Sequence, residues 1–361
     1  MPPLIQSLPD GPLDVIGDIH GEPGALRRLL RRLGADPDRC TVERPLIFVG
    51  DLIDRGPDSP GVVALVQRLV EAGVAHCIAG NHELNLLRGL SKEGNGWARG
   101  DETDHYQLKQ PGGRIEEIPF RAVMASPAEV ESILAFFRTL PLALERPDLR
   151  VVHACWKAEA IAALPGQGEL AELTARFTRD IDAQLQQQDL IAGDKAERAA
   201  FADLRRLDVR PDRMLPAHQA VVAGRQSGNP VKVLTSGLEV PVPLEDIFFT
   251  GGRWRFVRRD DWWNQYDDGP AVVVGHYWRR RDDAQVDGKP DAWQTARSED
   301  WAGPRGNVMC IDYSVGRRFL ERHLSGANGG FDGALAALRW PERVLVFDDR
   351  DLPVPTTRWG G

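Results

Sequence analysis

Five apolar runs in this chain end in side chains of the types that serve as metal ligands. "VIGDIHG" closes on Asp18 and His20, "LIFVGDLIDRG" on Asp51, Asp54 and Arg55, and "CIAGNHE" on Asn81 and His82; "VVHACW" carries His153 and "VVVGHYW" carries His276. Carboxylates are costly to take out of water unless a cation or a set of donors receives them. Carboxylate, imidazole and amide groups together suit divalent Mn, Fe or Zn. Glycines at 17, 50 and 80 precede the polar residue in the first three runs, so the backbone can turn sharply and come close to whatever is bound.

Side chains this far apart along the chain meet only if a sheet gathers them. The first part alternates in period: "LDVIG" (13–17) reads as a strand, 22–34 as a helix with Pro23 in its first turn, and "PLIFVG" (45–50) as the next strand. A helix over 60–73, the strand "VAHCIAG" and a helix on "HELNLLRGL" continue the order. This β-α-β-α pattern predicts a largely parallel sheet, and in such sheets ligands bind beyond the carboxyl ends of the strands. Ser126, Pro127 and Glu129 form a capping box before a helix with Ile133, Leu134, Phe136 and Phe137, which leads to the strand "LRVVHACW" (149–156). Residues 91–120 are polar, Gly-rich and without period, and read as a mobile surface insertion. Residues 157–207 read as a helical excursion covering one side of the sheet. Later runs read as strands: "VKVLTSG", "DIFFTGGRWRFVRR", "AVVVGHYW", "NVMCIDYSV", "LAALRW" and "RVLVFDD". No internal repeat or linker divides the chain.

Composition narrows the class. With 361 residues, 42% of them hydrophobic, the chain can bury a sizeable core. The first dozen residues lack a basic and apolar leader and read as a short tail; no window is apolar enough to span a membrane. Four scattered cysteines, Cys40, Cys77, Cys155 and Cys310, argue against a disulfide framework, and a reducing cytoplasm is the expected compartment. A formal net charge of −8 argues against general nucleic-acid binding.

The motifs "GDIHG" (17–21), "GDLIDRG" (50–56) and "GNHE" (80–83) stand in order, and in them the chain resembles the calcineurin-like metallophosphoesterases. The resemblance is to the phosphoprotein phosphatase branch, whose signatures are GDxHG, GDxxDRG and GNHE. "VVHACW", "VVVGHYW" and "CIDYSVG … LAALRW" extend it to bacterial members, including symmetrical diadenosine tetraphosphatases. The regions 91–120 and 157–230 lie outside it.

That resemblance implies an α/β fold, a four-layer sandwich of two mixed β-sheets flanked by helices. The whole chain, 1–361, would form one catalytic domain with insertions near 91–120 and 157–207. It implies two divalent transition-metal ions, Mn first, with Fe or Zn also in accord. Asp18 and His20 would bind one, Asp51 would bridge, and Asn81, His153 and His276 would complete the other. The phosphate would lie against Arg55, Asn81 and His82; His82 would protonate the leaving oxygen while Asp54 orients it. The implied activity is phosphomonoester hydrolysis, as in Ser/Thr protein phosphatases, by attack of a metal-bridging hydroxide. A dinucleoside polyphosphate hydrolase is the alternative, and a metal-bound binding module without turnover is the reading from another class. The partners would be a phosphorylated small molecule, phosphoprotein or dinucleoside polyphosphate, with no membrane.

His76, His105, His218 and Cys155 have no such context and are read as structural. Six tryptophans between Trp254 and Trp301 invite a base-stacking role, but packing is the expectation. A second phosphate-gripping arginine has no clear match; Arg253, Arg255, Arg258 and Arg259 are the candidates.

Overall fold

A computed structural model describes residues 2–109, 114–201, 204–250, 253–281, 293, 295, 297–325 and 330–360. Two large mixed sheets face each other. In the first, strands run in the order Val354–Pro355, Val344–Phe347, Ala336–Trp340, Leu13–Ile16, Leu46–Phe48 and Ala75–Cys77, the last three mutually parallel. In the second the order is Ile5–Ser7, Ala143–Arg146, Leu149–Val152, Ala271–Val274 and Val308–Cys310. Its last three strands are parallel, and only the Ala143–Arg146 and Leu149–Val152 pair is antiparallel.

Strand alternation explains how both faces are filled. Leu13, Val15, Ile47 and Val49 point between the sheets and meet Leu149, Val151, Val273 and Met309 from the other side. Ile16, Leu46 and Phe48 point outward, under the helices Pro23–Arg32 and Ser59–Glu71, where they pack with Leu26, Leu29, Val62 and Val66. Asp58 accepts from the Gly61 amide and starts the second of these helices, and Pro60 lies in its first turn. The capping box of Ser126 and Glu129 opens the helix Pro127–Phe137 as the sequence predicts.

Three expectations change. The first residues are not a tail: Ile5–Ser7 pairs with Ala143–Arg146, and Leu4 and Leu8 are buried beside it. "VKVLTSG" is the helix Pro230–Ser236, because Pro230 sets the first turn, Asn229 caps the Lys232 amide, and Val231, Val233 and Leu234 bury into the core. β-branched residues follow tertiary context here. The 91–120 region is structured, with a helix at Gly96–Arg99 and a hairpin of His105–Lys109 with Ile115–Pro119; residues 110–113 lie outside the described set. The 157–207 stretch holds the helices Ala158–Ala163, Leu170–Gln187 and Leu190–Ala199. Leu170, Leu173 and the helix Pro230–Ser236 reach the main core, whereas Leu215, Val242, Ile247, Trp254 and Phe256 form a separate cluster.

No helix among the described residues is long and apolar enough to cross a membrane. All four cysteines are free.

Candidate metal centre

Register explains why the polar residues meet. Ile16, Phe48 and Cys77 lie side by side at the ends of their strands, so Asp18, Asp51 and Asn81 emerge from the same edge. In the second sheet Val151 pairs with Val273, and Val274 with Cys310, which places His153, His276 and Asp312 at the matching edge. Hydrogen bonds join the edges across the crevice, among them the His276 amide donating to Asp18 Oδ2 at 3.0 Å and His153 Nδ1 meeting the Val49 carbonyl at 2.7 Å.

Asp51 stands at the middle. Its Oδ2 is 3.8 Å from His20 Nε2 and 3.8 Å from His82 Nε2, and its Oδ1 is 3.4 Å from His153 Nε2. Two donor groups therefore share it: His20, Asp51 and His82, and Asp51, His153 and His276, with the ligand atoms of each group within 4.8 Å of one another. Asn81 Oδ1 lies 2.8 Å from His276 Nδ1 and 3.3 Å from His153 Nε2. Asp18 Oδ2 lies 4.0 Å from His20 Nε2. Backbone carbonyls hold the other ring nitrogens: His20 Nδ1 faces Ile53 O at 3.1 Å, as His153 Nδ1 faces Val49 O. A proton held there leaves each Nε2 free as a ligand.

The electrostatics call for cations. Burial, followed by repulsion from Asp312, pushes Asp18 well above the usual carboxylate range. Burial raises Asp312 to about 6. Burial together with Arg55 and His82 holds His20 well below an ordinary imidazole; burial, Arg259 and His153 do the same to His276. Burial opposes a charged His153, yet the Asp51 carboxylate outweighs it and lifts the imidazole to about 10. Asp18 Oδ1 and Asp312 Oδ2 are buried without a hydrogen-bond partner. Orphaned acceptors among carboxylates, imidazoles and an amide fit divalent ions, which repay the desolvation of both carboxylates.

A second cluster adjoins the first. His82 Nδ1 is 2.6 Å from Asp54 Oδ2, and the Trp97 indole donates to Asp54 Oδ1 at 2.8 Å. Arg55 reaches between the imidazoles, 2.9 Å from His20 Nε2 and 3.2 Å from His82 Nε2, with its other face 4.7 Å from the centre of the Trp278 ring. Arg55, Asn81 and His276 are only half-buried, so this is the side that opens to solvent.

Sequence reasoning missed three participants. Glu83, fully buried, accepts from the amides of Asp51, Leu52 and Gly80, each at 2.8 Å, and so fixes the Asp51 turn against the Asn81 helix. Trp97 sits in a stretch without hydrophobic period and gave no signal. Asp312 had one: it ends the run "VMCID", as the other ligand types end theirs. Elsewhere His105 pairs with Glu117 and His218 with Asp194, away from the centre, and Trp254, Trp262, Trp263, Trp293 and Trp301 are buried packing residues.

Residues 11–162 match the family described as calcineurin-like phosphoesterase, a stretch that contains every residue of the centre except His276 and Asp312. The chain carries a calcineurin-like phosphoesterase domain. It is 32% identical over 156 residues to a protein of Bacillus velezensis named asymmetrical bis(5'-nucleosyl)-tetraphosphatase, covering 41% of this chain and 58% of that protein. It is 31% identical over 161 residues to a symmetrical bis(5'-nucleosyl)-tetraphosphatase of Methylococcus capsulatus, covering 43% and 48%. The chain thus spans about half the length of these curated relatives. A crystal structure described as a putative diadenosine tetraphosphatase aligns over 99% of both chains at 17% identity, with a TM-score of 0.41.

Proposed function

We propose that the chain is a metal-dependent hydrolase of phosphate esters and anhydrides. The observation that carries this is one carboxylate, Asp51, shared between two donor groups beside a His82–Asp54 pair. Asp18, His20 and Asp51 would hold one divalent ion, and Asp51, Asn81, His153 and His276 the other, with His82 left to the reaction. When bound, such ions lower the pKa of water and draw charge from phosphoryl oxygens.

The remaining steps belong to the chain's own residues. Arg55 grips the phosphoryl oxygens with its planar fork, backed by the Trp278 ring. As a P–O bond forms to the water oxygen, the bond to the leaving oxygen breaks, and His82 delivers a proton to that oxygen from Nε2. Asp54 holds the opposite ring nitrogen and stabilises the imidazolium before transfer. Trp97 keeps the Asp54 carboxylate in that orientation.

Two substrate readings remain. The motifs favour a phosphomonoester, whereas the names of the curated relatives favour a dinucleoside polyphosphate. The deciding assay runs p-nitrophenyl phosphate, a phosphoserine peptide and diadenosine tetraphosphate side by side with Mn, then with a chelator. Chelator-sensitive release from at least one is expected; none from any would leave a metal-bound binding module.

A further inference from the structure

Arg55 holds two imidazoles at once. Its Nη1 donates to His20 Nε2 at 2.9 Å and its Nη2 to His82 Nε2 at 3.2 Å, and both of these ring nitrogens stand 3.8 Å from Asp51 Oδ2. A guanidinium has donors only and keeps its charge, so each Nε2 must turn a lone pair towards it. The opposite ring nitrogens agree. His20 Nδ1 meets the Ile53 carbonyl at 3.1 Å and His82 Nδ1 meets Asp54 Oδ2 at 2.6 Å, both acceptors, so the ring proton of each imidazole sits on Nδ1. Among the described residues no carboxylate forms an ion pair with Arg55; its fork is given to two nitrogens.

The surroundings hold the guanidinium there. The Arg55 amide donates to the Gly94 carbonyl at 3.2 Å. A Cβ on Gly94 would stand 3.2 Å from Arg55 Cγ, and one on Gly316 would stand 2.5 Å from His20 Cδ2 and 3.2 Å from Arg55 Nη1, so two glycines let the backbone close around the stem and the fork. The Trp278 ring, 4.7 Å from the guanidinium carbon, covers another side, and both Trp278 and Arg55 are only half-buried.

A lone pair serves one partner. His20 Nε2 either accepts from Arg55 or coordinates an ion, and the paired N–H groups that fit phosphoryl oxygens are the ones turned to the imidazoles. The second donor group differs. His153 Nε2 faces Asp51 Oδ1 at 3.4 Å and His276 Nδ1 faces Asn81 Oδ1 at 2.8 Å, oxygens that an ion would share instead of displacing.

We propose that Arg55 competes with a divalent ion for His20 Nε2, so that loading of the Asp18, His20 and Asp51 position and release of Arg55 towards the phosphoryl group are one event. This rests on the metal-dependent reading above and adds to it a competitor built into one of the two positions. The apparent affinity of that position is scaled down by the fraction of molecules in which Arg55 is withdrawn, and the affinity of the other is not.

The test reads each position separately and needs no turnover. Protein carrying isotope-labelled histidines is stripped by a chelator and titrated with diamagnetic Zn, as wild type and as Arg55→Met, which keeps an unbranched stem and removes every donor. Ring-nitrogen resonances report when His20, His153 and His276 each take an ion. In Arg55→Met the His20 midpoint should fall by at least about tenfold, the factor for one hydrogen bond to a charged group, while the His153 and His276 midpoints move by less than about twofold. Arg55→Gln, too short to span both rings, should show the same shift and serves if the first variant does not fold. A His20 midpoint that stays or rises overturns the proposal. So does a common fall of all three midpoints, because a positive charge beside a shared carboxylate would act on both positions alike. Zn response at His153 and His276 with no effect of Arg55 on His20 overturns this inference alone, whereas no response at any of the three overturns the metal-dependent reading and this inference with it.

Discussion

Trp97 places a residue from outside the strand-end motifs beside the His82–Asp54 pair proposed as catalytic, and Trp97→Phe tests whether it acts there. The indole N–H donates to Asp54 Oδ1 at 2.8 Å, while Asp54 Oδ2 holds His82 Nδ1 at 2.6 Å. Phenylalanine keeps most of the packing and removes only the donor. The orphaned Oδ1 is buried, so no solvent replaces the lost bond, and the carboxylate is free to turn from His82. A hydrogen bond to a charged group contributes about 1.5–3 kcal/mol net, which as transition-state stabilisation is roughly a ten- to hundredfold fall in kcat. The smaller ring also costs about 1–2 kcal/mol of stability, which thermal unfolding would show separately. The assay is kcat on p-nitrophenyl phosphate with metal content measured on the same sample, in the wild type and in an Asp54→Asn background. Metal content should be unchanged, and the effect of Trp97→Phe should shrink once Asp54 is neutral, because both act through one carboxylate. An unchanged kcat, or an equal loss in the Asp54→Asn background, refutes the reasoning.

Other outcomes follow from the same geometry. Asp51→Asn should abolish turnover and metal loading together, whereas His82→Ala should keep its metal and lose turnover; full activity in metal-replete His82→Ala would remove the proton-donor role. Asp312→Asn should weaken metal binding by about ten- to a hundredfold in a direct titration, with the fold intact by circular dichroism; an unchanged affinity would make the orphaned Oδ2 irrelevant to the centre. Asp14 tests the core instead: burial, partly offset by Arg339, raises it from 3.8 to about 6. The folded state therefore binds the extra proton, so stability from this group is full below pH 3.8 and lost as pH rises through about 6, about 3 kcal/mol in all. Asp14→Asn should raise the unfolding temperature above pH 7 and make no difference near pH 4; a uniform shift at all pH values would contradict this.

The candidate centre was legible because its proposed ligands end apolar runs, and strand ends in register must fall together. Asp18, Asp51 and Asn81 follow that logic through Ile16, Phe48 and Cys77, as do His153 and His276 through Val151, Val273 and Val274. The parallel block of Leu13–Ile16, Leu46–Phe48 and Ala75–Cys77 was readable from its alternation with helices; the pairing of the later strands and the antiparallel edges were not, since alternation alone carries no partner. "VKVLTSG" was misread because its valines favour strand while the Asn-Pro before it, a capping signal, decides the structure. Trp97 could not be found at all. Its contact with Asp54 is set by the Gly94 carbonyl meeting the Arg55 amide and by the tight fit of Gly96 against Asp104, neither of which leaves a periodic trace.

The backbone at the site shows why so few substitutions there would be tolerated. His20, Asp51, Asp54, Arg55 and His276 all have positive φ, between 46° and 75°, and none is glycine. Left-handed backbone costs a non-glycine residue about 1–2 kcal/mol, and the strain persists only where neighbours hold it. Here each restraint can be named. The Asp51 carbonyl accepts from the amides of Ile19 and His20, Glu83 accepts from the Asp51 amide, the Ser59 hydroxyl from the Asp54 amide, Gly94 from the Arg55 amide, and Asp18 from the His276 amide. Each bond bends one turn so that its side chain faces the crevice instead of solvent. Removing one such acceptor, as in Glu83→Ala, would release the strain by letting Asp51 swing away, so a residue that touches no substrate would still be needed for both ions.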